Sequence, residues 1–191
     1  MENDILVQFN SKIAQDSLEV RLAFYENIGF FIEIAQMLEY NLRELICYER
    51  SVKEIEKGAL TKENVENICK RYDQYYLKTF KEKWALGKLK NELMQETSIT
   101  PKMFTYFDEI IQYRNLIAHK LFQINVNNNA LQSASTVKDY INNRLSPMTN
   151  KASELNDFII KIIRLYQEDL HKYKKQVGMP VPSEDASIQK L

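Results

Sequence analysis

Apolar residues recur three and four apart along most of this chain, and the stretches where they do so predict four long helices. In the first they fall at Ile28, Phe31, Ile32, Ala35, Leu38, Leu42, Leu45, Ile46, Val52 and Ile55. That spacing draws one apolar stripe along a helix over 28–57, closed by Lys57 in its last turn and Gly58 beyond. Thr61 is placed to cap a second helix, 61–80, whose apolar face carries Val65, Ile68, Tyr72, Tyr75, Tyr76 and Phe80. Thr100-Pro101 marks the start of a third, because proline at the first helical position loses no hydrogen bond. It runs to about Phe122. Thr149 or Asn150 would cap the fourth, 150–175, with Leu155, Phe158, Ile159, Ile162, Ile163, Tyr166, Leu170 and Tyr173 inside. Thinner patterns predict shorter helices over 11–27, 82–96 and 131–144. Breaks are expected at Asn27–Gly29, at the polar run 124–130 and at Ser146–Asn150, with a bend at Gly87.

The expectation is an all-α protein, an up-down helical bundle of four main helices with additional shorter ones. Four glycines and four prolines in 191 residues leave little punctuation for sheets and tight turns. A single domain over 1–177 is expected, followed by a mobile tail from 178 to 191 that starts at Gly178 and Pro180.

Charge narrows the function classes. Lys plus Arg and Asp plus Glu are 26 each, so the whole chain is not a bulk electrostatic binder of nucleic acid. A local basic face remains open. The stretch "KTFKEKWALGKLK" holds Lys78, Lys81, Lys83, Lys88 and Lys90 against Glu82 alone, with Phe80 and Trp84 between them. It reads either as an RNA-facing patch or as a solvated helix face with Trp84 in the core. The first forty residues lean the other way, with seven acids and two bases. Cys47 and Cys69 lack metal-ligand spacing and sit at apolar positions, so free buried thiols are expected and no metal site. The basic stretch "HKYKK", 171–175, is expected to serve the dipole of the last helix, and His171 within it is not expected to be catalytic. The acidic N-terminus lacks the features of a signal peptide, and no apolar run reaches the roughly 20 residues of a membrane span. A cytoplasmic protein without membrane contact is the expectation.

The helix over 101–122 carries the sharpest feature. With about 100° per residue and Ile110 at zero, Met103, Phe107, Ile117 and Leu121 fall within about 60°, and Phe104, Ile111 and Ala118 widen the stripe to about 120°. Arg114 falls at about 40°, near the middle of that stripe. Asn115 and His119, four apart, follow at about 140° and 180°. An arginine there must be paired or reach a wet cleft. One reading is a buried ion pair with Glu33, Glu39 or Glu44, and a surface histidine at a helix end. The other is a phosphate site, which suits the five donors of a guanidinium.

The run Arg114-Asn115-Leu116-Ile117-Ala118-His119 resembles the R-N-x-x-x-H motif of HEPN domains, the nucleotide-binding domains of higher eukaryotes and prokaryotes. Leu86-Gly87-Lys88-Leu89 ahead of the motif helix and the long first helix are similar to several prokaryotic branches. The resemblance implies a helical bundle that dimerises so that two motifs meet in a cleft. It also implies a metal-independent endoribonuclease of the toxin–antitoxin, abortive-infection or antiviral-defence kind. His119 would then be the general acid–base group, Arg114 the phosphate ligand and Asn115 the residue that orients His119 or hydrogen-bonds the phosphate. RNA attacked by its own 2′-OH would leave a 2′,3′-cyclic phosphate. Positions 114 and 119 are about 140° apart on a straight helix, so a homodimer through this helix is expected, with its stripe at the interface. A minimal nucleotidyltransferase is a candidate antitoxin. Other members of the family are non-catalytic modules that bind RNA, nucleotides or proteins, and this reading stays open, as does a plain structural bundle.

Overall fold

The computed structural model describes residues 18–94, 100–127 and 138–181, without the side chains of 18–21 and 119–127. The protein is an all-α helical bundle. Its helices are α1 (Leu18–Lys57), α2 (Lys62–Lys81), α3 (Leu86–Met94), α4 (Pro101–Asn127) and α5 (Ser146–Gln176). A π-helical turn, Ile141–Leu145, leads into α5. The described residues fall into two compact units, one drawn from Met1–Leu38 and Ile99–Asn156, the other from Glu39–Ser98 and Asp157–Leu191. Each unit is discontinuous, because α1 and α5 each give their two halves to different units.

The first unit buries Phe24, Phe31, Ile34 and Leu38 of α1, Phe107, Ile110 and Ile117 of α4, and Ile141, Leu145, Ala152 and Leu155 of the π turn and α5. In the second, Val52, Ile55, Val65, Ile68 and Leu170 form one apolar cluster, flanked by Tyr48, Cys69 and Tyr72. The side chain of Glu39 accepts the backbone N–H of Leu86 at 3.1 Å and so caps α3. Arg50 pairs with Glu92 at 2.9 Å and ties α1 to α3.

Several helix boundaries match the expectations. Thr61, in extended backbone, accepts the Asn64 N–H and caps α2. Helix α4 begins at Pro101. Helix α1 ends at Lys57, although Gly58 is not left-handed. A Cβ at Gly58 would lie 2.8 Å from the Asn64 amide nitrogen, which itself donates to the Ala59 carbonyl, so the glycine makes room for that turn.

Other expectations fail for physical reasons. No break occurs at Asn27–Gly29. The Asn27 amide donates to the Ala23 carbonyl at 2.7 Å, and one interior glycine costs only about 1 kcal/mol against a helix whose far side is buried. The bend expected at Gly87 lies earlier. Lys83 N–H bonds Phe80 O and Trp84 N–H bonds Thr79 O, both at 3.0 Å, with Lys83 left-handed at φ 51. That pairing is a Schellman stop, with a lysine where glycine is usual. Residues 82–85 are therefore a link, and α3 begins only at Leu86.

The polar run 124–130 does not stop α4 at Phe122, since the helix continues to Asn127. The remainder of that run and the first part of the helix expected over 131–144 lie outside the described residues, as do residues 11–17 of the one expected over 11–27. Its remainder, 18–27, is helical and runs straight into the first long helix as the start of α1. Ser146–Asn150 is no break either. Pro147 follows the π turn, whose wider backbone spares the carbonyl four residues earlier a clash with the ring. Thr149 is not an N-cap. Its hydroxyl donates to the Leu145 carbonyl at 2.9 Å within the helix. At the other end of α5, Gly178 at φ 70 and the Met179 N–H to Lys174 O bond form a second Schellman stop. Val177 and Met179 pack on the apolar cluster, so the expected tail is ordered at its start, and 182–191 lie outside the described residues.

Candidate functional site

Arg114, Asn115 and His119 all lie on α4, in the first unit. Phe107 and Ile110 are fully buried and Ile117 is 7% exposed, so the middle of the apolar stripe faces the unit's own core. Arg114, placed by angle near that middle, is half-buried and engaged rather than free. Asn115 is exposed. The side chain of His119 lies outside the described residues, and only its place on the helix is fixed. Ala118, expected on the stripe, is exposed, while Tyr106 and Tyr113 on the opposite shoulder are half-buried. The stripe is thus rotated toward the tyrosines.

Tyr113 is what seats the motif helix. Its ring meets Phe31 edge-on at 5.3 Å, and its hydroxyl donates to the Tyr140 hydroxyl at 2.8 Å. Tyr140 in turn meets Phe24 at 6.0 Å. Burial, then the bond to Tyr140, pushes the Tyr113 hydroxyl above the ordinary tyrosine range, so it stays protonated and donating at neutral pH. Lys151, on α5, makes a short ion pair with Glu109 at 2.5 Å and fixes the neighbouring turn of α4. Of the glutamates weighed as partners for Arg114, Glu33 is exposed, Glu39 caps α3 and Glu44 accepts the Tyr40 hydroxyl at 3.2 Å.

The lysines expected to contact RNA belong to the second unit. Lys78, Lys81, Lys83 and Lys88 are exposed, and Lys90 is partly covered and engaged. Glu82 lies 3.7 Å from both Lys78 and Lys88, and its carboxyl is held below the ordinary range first by the Trp84 indole N–H and then by these lysines. Trp84 is 7% exposed and does not interleave with the lysines at the surface. Lys88 lies over its ring at 3.6 Å. The aromatics that do reach solvent here are Tyr40 and Phe80, with Arg43 stacked 4.5 Å from the Phe80 centroid and donating to the Trp84 carbonyl. The signal for Arg43 is its place three residues before the stripe residue Ile46, on the same helix face.

Cys47 and Cys69 are free and half-buried, and burial pushes the Cys47 thiol up to about 12. His171 is held below its ordinary range by burial and by Lys174 and Lys175, and these two lysines are the cations in the last turn of α5. Among the described residues no group of three His, Cys, Asp or Glu is placed to hold a metal, and no helix is long and apolar enough to cross a membrane. Compared with protein-family models, curated proteins and solved structures, the chain matches none.

Proposed function

We propose that this chain is a HEPN-type endoribonuclease that acts as a homodimer and needs no metal. The observation that carries the proposal is the helix α4 itself. Arg114, Asn115 and the position of His119 lie on one uninterrupted helix of an all-α fold, with Asn115 exposed and Arg114 half-buried beside it. In this reading Arg114 binds the scissile phosphate and stabilises charge as it builds there. His119 moves the proton between the ribose 2′-OH and the leaving 5′-oxygen. Asn115, four residues before His119, shares its helix edge and orients it. A second copy supplies the second acid–base group, and the product end is a 2′,3′-cyclic phosphate. A role as a toxin or phage-defence effector in the cytoplasm, held by an antitoxin such as a minimal nucleotidyltransferase, belongs to the same proposal.

The test is direct. Purified protein is incubated with mixed RNA in EDTA beside His119→Ala and Arg114→Ala. Cleavage by the wild type that is lost in both variants, with cyclic-phosphate ends, is the expected result. Equal cleavage by all three proteins exposes a contaminant, and the absence of cleavage from any rejects the enzyme. One observation favours the second reading, a non-catalytic module that binds RNA, a nucleotide or a protein: the chain has no net charge, and Glu82 offsets two of the five lysines.

A further inference from the structure

Three aromatic rings from two helices meet at the surface of the second unit. Tyr76 and Phe80 of α2 lie 5.0 Å apart, and Tyr40 of α1 lies 6.3 Å from Tyr76 and 6.4 Å from Phe80. Phe80 is 42% and Tyr40 43% exposed, a large share for rings so firmly held. Arg43 explains the rigidity. It is 7% exposed, donates to the Trp84 carbonyl and covers one side of the Phe80 ring. The solvent side of that ring is left open. The flanking charge is net positive, with the exposed Glu82 between two lysines. Lys81 follows Phe80, and the Schellman stop fixes the exposed Lys83 in a left-handed backbone just beyond it. Among the described residues neither lysine has an ion-pair partner, unlike Lys78 and Lys88, which share Glu82. Glu44, one turn after Tyr40 on α1, is partly covered and engaged by its hydroxyl.

We infer that Phe80 and Tyr40, with Lys81 and Lys83 beside them, form a stacking platform for the bases of single-stranded RNA. The inference rests on reading the chain as a protein that acts on RNA, and it names where a strand would bind away from the α4 motif. Bases of any identity stack on a fixed aromatic ring, while lysines hold the backbone phosphates. A protein partner fits less well, since lysines are depleted at the centre of protein interfaces.

The test uses the full chain and a fluorescein-labelled 2′-O-methyl oligouridine, which lacks the nucleophile for cleavage. Its affinity is measured across salt from about 50 to 200 mM. Phe80→Leu and Tyr40→Ala are each expected to weaken binding about five-fold or more without changing the salt slope. Lys81→Gln with Lys83→Gln is expected to reduce that slope by about 1.4, near 0.7 for each phosphate of a single strand that the lysines no longer neutralise. Thermal melts show whether each variant folds, and the two ring variants on different helices check one another. The platform is overturned when the wild type binds no oligouridine, or when folded Phe80→Leu and Tyr40→Ala both bind like the wild type. Cleavage abolished by His119→Ala alongside wild-type binding by the ring variants sinks the platform and keeps the nuclease. Ring-dependent binding without any cleavage does the reverse.

Discussion

The hydroxyl pair between Tyr113 and Tyr140 joins the residue next to Arg114 to the entrance of the π turn, and a double-mutant cycle measures it. Tyr113→Phe, Tyr140→Phe and the double variant each keep both rings, so the edge contacts to Phe31 at 5.3 Å and Phe24 at 6.0 Å survive. Only the 2.8 Å O–H···O bond is removed. Such a bond is worth about 1 kcal/mol net, and both groups are half-buried, so a hydroxyl left alone recovers part of that from water. Each single variant should therefore lose about 0.5–1.5 kcal/mol, and the double should lose less than their sum by about 0.5–1 kcal/mol. The assay is urea unfolding followed by far-UV circular dichroism, with thermal melts as a cross-check, where about 1 kcal/mol corresponds to roughly 2–4 °C for a chain of this size. The Tyr113 hydroxyl is held above its ordinary range, so the coupling should be the same at about pH 7 and about pH 9. Losses that add within about 0.3 kcal/mol would mean that the two hydroxyls do not meet in solution, and the account of how α4 is seated would fall.

Lys83→Gly should stabilise the protein by about 0.5–1 kcal/mol, because a glycine adopts the left-handed backbone without the steric penalty, and an unchanged melting temperature would count against that turn. Cys47, its thiol pushed up to about 12, should react with Ellman's reagent near pH 8 only as fast as the chain opens; immediate reaction in the native state would contradict its burial. Burial also raises the Glu44 carboxyl above its ordinary range, so the folded chain holds that proton to higher pH than the unfolded chain does. The stability linked to that proton is complete below the ordinary carboxylate range and is lost as pH rises through the raised value. Glu44→Gln should thus exceed the wild type in thermal stability at about pH 8 and converge with it near pH 4, and a constant difference across that range would exclude the linkage.

Periodicity carried most of the architecture because burial in a helix repeats at the helical period. Phe31, Leu38, Leu42, Leu45 and Ile46 are all fully buried on α1, and the Thr100-Pro101 start of α4 stands where the cap places it. Breaks were harder to read because local breakers are weak beside tertiary packing. Gly29 sits inside a 40-residue helix, and Pro147 is absorbed by a π turn that no residue type announces. The left-handed link was invisible for a related reason, since lysine carries no signature for positive φ. In the candidate site, the angular reading placed Arg114 well but gave the stripe one edge too many. Alanine at 118 has little to bury, whereas Tyr106 and Tyr113 bury a ring and leave a hydroxyl for a partner.

That rotation bears on the proposed dimer. The sequence alone suggested that the apolar stripe of α4 meets its counterpart across a two-fold axis. Phe107 and Ile110 are fully buried and Ile117 nearly so within one chain, so the stripe is already occupied by the unit's own core. A second copy must meet another part of the helix, and the edge at about 140° to 180° from Ile110, where Asn115 is exposed and position 119 follows, is the one the motif requires. Helix α4 runs unbroken past 119, so no local distortion swings that position toward Arg114. One copy therefore turns its arginine partly inward, with position 119 about 140° further round the helix. For one phosphate to meet both groups, the histidine edge of each chain has to lie against the arginine shoulder of the other, with Asn115 between them. The contact is then polar at its centre rather than apolar.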